Sequence, residues 1–84
     1  MDIVICEDDR VQLERTKEII ENYAMMEDNG LKVLLATTNP HDVLAFLQNE
    51  KADCYFLDID LQDEVTGITL GSKIRENDPI ASLV

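Results

Sequence analysis

The chain is short of base: seven lysines and arginines stand against eighteen aspartates and glutamates in 84 residues, a formal charge of -11. Holding a phosphate backbone draws on Lys and Arg, so this stretch is not expected to bind nucleic acid itself. It also lacks any apolar run approaching the roughly 20 residues that a spanning helix needs, and no charged start leads into an apolar core and a small-residue cleavage site. A soluble, intracellular chain with no membrane partner is the expectation. Histidine occurs once, as His41, with no second histidine or nearby cysteine to complete a metal set, so it reads as a solvated side chain. The two cysteines both lie inside apolar runs, where a free thiol behaves as a small hydrophobe. Cys6 is expected level with Phe56 and two residues out of register with Cys54, an offset poor for bridging. No internal repeat, low-complexity stretch or linker is visible, and the length allows one domain at most.

What the chain does have is two apolar runs that end on carboxylates. Cys54-Tyr55-Phe56-Leu57 passes into Asp58 and then into a polar stretch from Gln62 to Gly67. A short continuous apolar run bounded by turn signals reads as a strand buried on both faces, as in a parallel sheet. Asp2-Ile3-Val4-Ile5-Cys6 likewise runs into Glu7-Asp8-Asp9. If the two strands are parallel neighbours, Asp8 and Asp58 end at the same edge, flanked by Glu7 and Asp9. Ligands of open α/β sheets bind outside the carboxyl ends of the strands. Several carboxylates in one small space raise each other's pKa unless a cation neutralises them, and Mg2+, which takes oxygen ligands and keeps several waters, is the natural guest. The remaining negative charge is explained by a solvated helix face, since Glu14, Glu18, Glu21 and Glu27 share one segment.

Between these runs the pattern alternates. Arg10 to Met26 carries Thr16, Ile19, Ile20, Tyr23 and Met26 at three- and four-residue spacings, which predicts an amphipathic helix capped by Asp8 or Asp9. Glu27-Asp28-Asn29-Gly30 ends it, and Leu31 to Thr37 supplies the second strand. Thr38-Asn39-Pro40 starts a helix with an Asn cap and Pro at the first position, whose apolar side is Val43, Leu44, Phe46 and Leu47. Ile68 to Asn77 forms a third helix, with Ile68, Leu70 or Gly71, and Ile74 buried; Asp78-Pro79 stops it and Ile80 to Val84 begins a fourth strand. The order βαβαβαβ implies an α/β fold with a parallel sheet, helices on both faces and right-handed crossovers.

Glu7-Asp8-Asp9 after the first strand, Phe56-Leu57-Asp58 after the third, Gly67 and the helix Leu70 to Arg75 together resemble the receiver domain of bacterial two-component response regulators. ICEDD at 5 to 9, LLATTNP at 34 to 40, CYFLDIDL at 54 to 61 and GITLGSKIRENDP at 67 to 79 are similar to the accessory-gene-regulator A type, which joins a receiver to a LytTR DNA-binding domain in peptide quorum sensing of Gram-positive bacteria. The resemblance implies a flavodoxin-like fold with strand order 2-1-3-4. It implies that Asp58 is the phosphoacceptor, taking a phosphoryl group from a sensor histidine kinase in the cytoplasm. It further implies a Mg2+ site of Glu7, Asp8, Asp58 and Asp60, in which Asp8 binds directly, Glu7 through water and Asp60 through its backbone carbonyl, while Asp9 caps the helix. Such a domain is no enzyme beyond autophosphatase activity. Where many receivers have proline four residues after the phosphoacceptor, this chain has Gln62, and the loop to Gly67 looks about one residue longer.

The family also places a Ser or Thr after its fourth strand and a Lys after its fifth, and neither occurs here. Residues 1–84 are therefore expected to be the N-terminal two thirds of a receiver, the sheet incomplete from the fourth-strand edge onward, with the LytTR domain, and any DNA binding, absent. An uncovered strand edge and apolar surface beside the first helix lead us to expect self-association or exchange of elements between chains. Two alternatives remain. One is a receiver-like interaction module that is never phosphorylated. The other starts from Asp58-Ile59-Asp60, which resembles the nucleophile motif of haloacid-dehalogenase-type phosphatases, with Asp60 as acid/base.

Overall fold

A computed structural model describes residues 1–27, 30–57, 67–78 and 81–83. Elements follow as β1 (Asp2–Cys6), α1 (Arg10–Glu27), β2 (Lys32–Thr37), α2 (Pro40–Leu47), β3 (Cys54–Leu57), α3 (Gly67–Asn77) and β4 (Ser82–Leu83). The strands form one sheet in the order β2-β1-β3-β4, and each pairing is parallel. The parallel sheet is the one expected from the alternating pattern, and its strand order is the one the family resemblance implies. Because the Cβ atoms of a strand alternate between faces, β1 feeds two cores. Val4 and Cys6 join Val43 and Leu47 of α2, Tyr55 of β3, and Leu70 and Ile74 of α3. Ile3 and Ile5 join Leu13 of α1 and Cys54, with Ile20, Val33 and Phe56 packed against them. A strand buried on both faces has to be apolar throughout, which is why β1 and β3 read as unbroken runs.

Two expectations need correction. The stripe on α1 places Ile19, Tyr23 and Met26 toward the core, yet they are 63%, 54% and 82% exposed, whereas Leu13 is 2% exposed. Periodicity identifies an apolar side but not how much of it meets a neighbour. The helix leans on β1 and β2 through Leu13 and Ile20, and residues 19, 23 and 26 lie around the cylinder from that line. The second correction is register: Cys6 stands opposite Leu57, not Phe56, and Cys54 opposite Ile3. The thiols are thus three positions apart and on opposite faces of the sheet, both buried and free.

The opposite end of the sheet from the acids is stitched by Asp53. Its backbone N–H donates to the Asp2 carbonyl (2.8 Å), its carbonyl accepts the Ser82 N–H (3.0 Å), and its carboxylate accepts the Asp2 N–H (2.7 Å). One residue thereby aligns β1, β3 and β4. Tyr55, fully buried, satisfies its hydroxyl oxygen by accepting the Ala52 N–H at 3.0 Å.

Candidate functional site

The parallel β1–β3 ladder ends on the pair Cys6–Leu57, and the residues that follow these two in sequence are Glu7 and Asp58. Register, not only direction, therefore brings the last strand residue before each acid-bearing segment to the same edge. Asp58 and Asp60, the expected phosphoacceptor and carbonyl ligand, lie outside the described residues. Glu7 and Asp8 are described. Glu7 is half-buried and Asp8 exposed. On the other side β1 is anchored to β2 by the Glu7 N–H, which donates to the Thr37 carbonyl at 3.1 Å.

The three consecutive acids do different things. Asp9 is the N-cap of α1: its Oδ1 accepts the N–H groups of Val11 (2.9 Å) and Gln12 (3.4 Å), and its carbonyl accepts the N–H of Leu13 (2.9 Å). The Val11 and Gln12 N–H groups are orphan donors of the first helical turn, the Leu13 bond is the first within the helix, and a carboxylate there also meets the positive end of the helix dipole. The choice between Asp8 and Asp9 as cap thus falls to Asp9. The Glu7 carboxylate folds toward the same turn, its Oε1 accepting the Asp9 N–H at 3.2 Å. Asp8 accepts no hydrogen bond and has no cation in salt-bridge range among the described residues.

These are hard oxygen donors, the exposed Asp8 carboxylate next in sequence to a Glu7 carboxylate that accepts a backbone N–H. The donor set fits Mg2+, which prefers one or two carboxylates completed by water. Among the described residues no three His, Cys, Asp or Glu side chains gather closely enough to hold an ion, so Glu7 and Asp8 are the described part of the expected set. His41 is exposed at the start of α2, where its backbone N–H donates to Asn39 Oδ1 at 2.9 Å.

Sequence reasoning overlooked the cluster across the edge. Thr37 is 8% exposed and is the buried polar residue among those described. Its hydroxyl donates to Asp42 Oδ2 at 2.5 Å and accepts the Asn39 N–H at 3.0 Å. The spacing of Thr37, Asn39 and Asp42 around Pro40 was a readable cap signal, but nothing in it says that the Thr37 carbonyl meets Glu7.

A structure of the RcsB response regulator from Salmonella typhimurium superimposes with a TM-score of 0.80 at 19% identity, covering 100% of this chain and 41% of that one. A second, described as RcsB bound to promoter rprA in the presence of phosphomimetic BeF3-, gives 0.77 at 19% identity, covering 99% and 40%. At that identity the likeness shows the fold, the flavodoxin-like receiver arrangement. In sequence, accessory gene regulator protein A of Staphylococcus aureus is 46% identical over 85 residues, and that of Staphylococcus epidermidis 41% identical over 87. Both alignments take in 100% of this chain, which spans 36% of the length of these curated relatives. The response regulator receiver domain matches residues 3–84, and the chain belongs to that family.

Proposed function

We propose that this chain is the phosphoacceptor part of a phosphorelay, with Asp58 receiving a phosphoryl group from a sensor histidine kinase in a quorum-sensing transcriptional regulator. The observation that carries the reading is the β1–β3 register, which ends on Cys6 and Leu57, the residues that immediately precede Glu7 and Asp58 in the sequence. In this reading a carboxylate oxygen of Asp58 attacks phosphorus in line, the bond from phosphorus to the kinase histidine breaks, and an acyl phosphate forms. Mg2+ would be held by Asp8 directly, by Glu7 through water, by Asp58 and by the Asp60 carbonyl, and would supply charge neutralisation for the equatorial phosphoryl oxygens. Turnover is limited to autophosphatase activity.

The span of 36% of the relatives' length supports reading residues 1–84 as the first two thirds of a receiver, with the LytTR DNA-binding part elsewhere in a longer protein. No helix among the described residues is long and apolar enough to cross a membrane, which agrees with a cytoplasmic site of action. Exposed Val11, Ile19, Tyr23, Met25 and Met26 support self-association of this stretch on its own.

The test is intact mass after incubation with acetyl phosphate, with and without Mg2+, on this chain and on Asp58→Asn. A single Mg2+-dependent phosphoryl adduct, lost in the variant, is expected. An adduct only on a chain extended through the rest of the receiver would keep the reading and make this stretch incomplete for capture. Mg2+ binding with no adduct on either chain would point instead to an unphosphorylated module. Steady phosphomonoester turnover abolished by Asp60→Asn would point to a phosphatase.

A further inference from the structure

We propose that Thr37, with Asp42, is a positioning residue for the metal edge: it fixes the backbone of Glu7 and thereby sets Mg2+ affinity. The inference rests on the reading of Glu7 and Asp8 as metal ligands. Thr37 lies at the end of β2, opposite Cys6 in the β1–β2 ladder, and its carbonyl takes the Glu7 N–H at 3.1 Å. That is the contact tying the acid-bearing segment to its neighbour just beyond the strand. Whether it holds depends on how firmly the Thr37 peptide is oriented, and the side chain of the same residue does the orienting. Its hydroxyl hydrogen goes to Asp42 Oδ2 and its oxygen receives the Asn39 N–H.

Asp42 is not free to swing, because its own N–H donates to the Asn39 carbonyl at 3.0 Å in the first turn of α2. The chain of bonds runs from the α2 N-terminus through Asp42 and Thr37 to Glu7, and then through the Glu7 carboxylate to the α1 N-terminus at Asp9. Residues orienting a ligand from behind are typically worth about 10–100-fold in metal affinity when removed. The lower end applies here, since Glu7 acts through water in the proposed site.

Three variants of the 84-residue chain test this at a temperature well below each unfolding midpoint. Thr37→Val keeps the shape and removes the hydroxyl, Asp42→Ala removes its acceptor from an exposed position, and Thr37→Ser restores the hydroxyl. Isothermal titration with MgCl2 should show affinity about tenfold weaker in Thr37→Val and Asp42→Ala, and within about twofold of the parent in Thr37→Ser. In Mg2+-free protein the Glu7 amide should exchange with solvent about tenfold faster in the first two variants and not in the third. A merely structural threonine would lower the unfolding midpoint while leaving Mg2+ affinity and Glu7 exchange unchanged, and that result overturns the proposal. If the parent chain binds no Mg2+, the metal reading falls and this inference with it. If the parent binds and Thr37→Val binds equally well, only the positioning role falls.

Discussion

Cys54 is kept protonated by its surroundings: burial pushes its pKa above the ordinary 9.0, and the negative charge of Asp53 pushes the same way. In Tyr55 burial again dominates, lifting the phenol above 10.0; the Ala52 N–H bond opposes this, and Asp78 and Asp53 add to it. Both groups are neutral near pH 7 in folded and unfolded chains, so neither affects stability there. As pH rises through the ordinary values the unfolded chain releases its protons first, binds fewer than the folded one, and is favoured. The urea midpoint should stay level to about pH 8.5, then fall from about pH 9 with Cys54 and further above about pH 10 with Tyr55. Cys54→Ala should start from a lower plateau yet decline less steeply between about pH 9 and 10. A parent midpoint that holds level through about pH 10.5 would contradict this account.

The elements stand or fall by their ends. With eight residues, α2 is too short to persist by propensity, so its cap and the burial of Val43 and Leu47 sustain it. Asn39→Ala removes the acceptor for the His41 N–H and should lower stability by about 1 kcal/mol, with Asn39→Asp retaining most of it, read from urea unfolding. That cap was legible in the sequence because Asn followed by Pro acts through local chemistry. So were β1 and β3, since burial on two faces leaves an unbroken apolar run. The register of Cys6 against Leu57 was not legible, because a one-residue slip is decided by packing across strands some fifty residues apart. Nor was the exposure of Ile19, Tyr23 and Met26, which depends on what lies beside α1. At the site, a capping acid was readable from its position before a helix, but position left Asp8 and Asp9 both open, and the bonds to Val11 and Gln12 give the role to Asp9. The link from Thr37 to Glu7 was not, because a carbonyl acceptor carries no sequence signal. Asp58 and Asp60 lie outside the described residues, so their part in the site rests on the proposed function.

For the whole molecule, the sheet is served unequally among the described residues: α2 and α3 share one face while α1 packs on the other, with large apolar side chains exposed along it. Two chains meeting through that side would bring a charge of -11 against itself, so salt should favour association by screening the repulsion. Sedimentation at about 50 mM and 300 mM NaCl should show the larger species growing with salt, and Ile19→Lys should diminish it; a sharp monomer at both, with cooperative thermal unfolding, would dispose of the idea. The stitch at Asp53 has a consequence in time. It joins Asp2 to a residue 51 positions later, and at about 5–20 residues per second a ribosome needs roughly 3–10 s to synthesise that interval. During it β1 has β2 to pair with but no β3, and the acids of residues 7 to 9 have no opposite edge. A nascent chain therefore cannot acquire the site piecemeal; it comes into being only when the late strand closes on the early one.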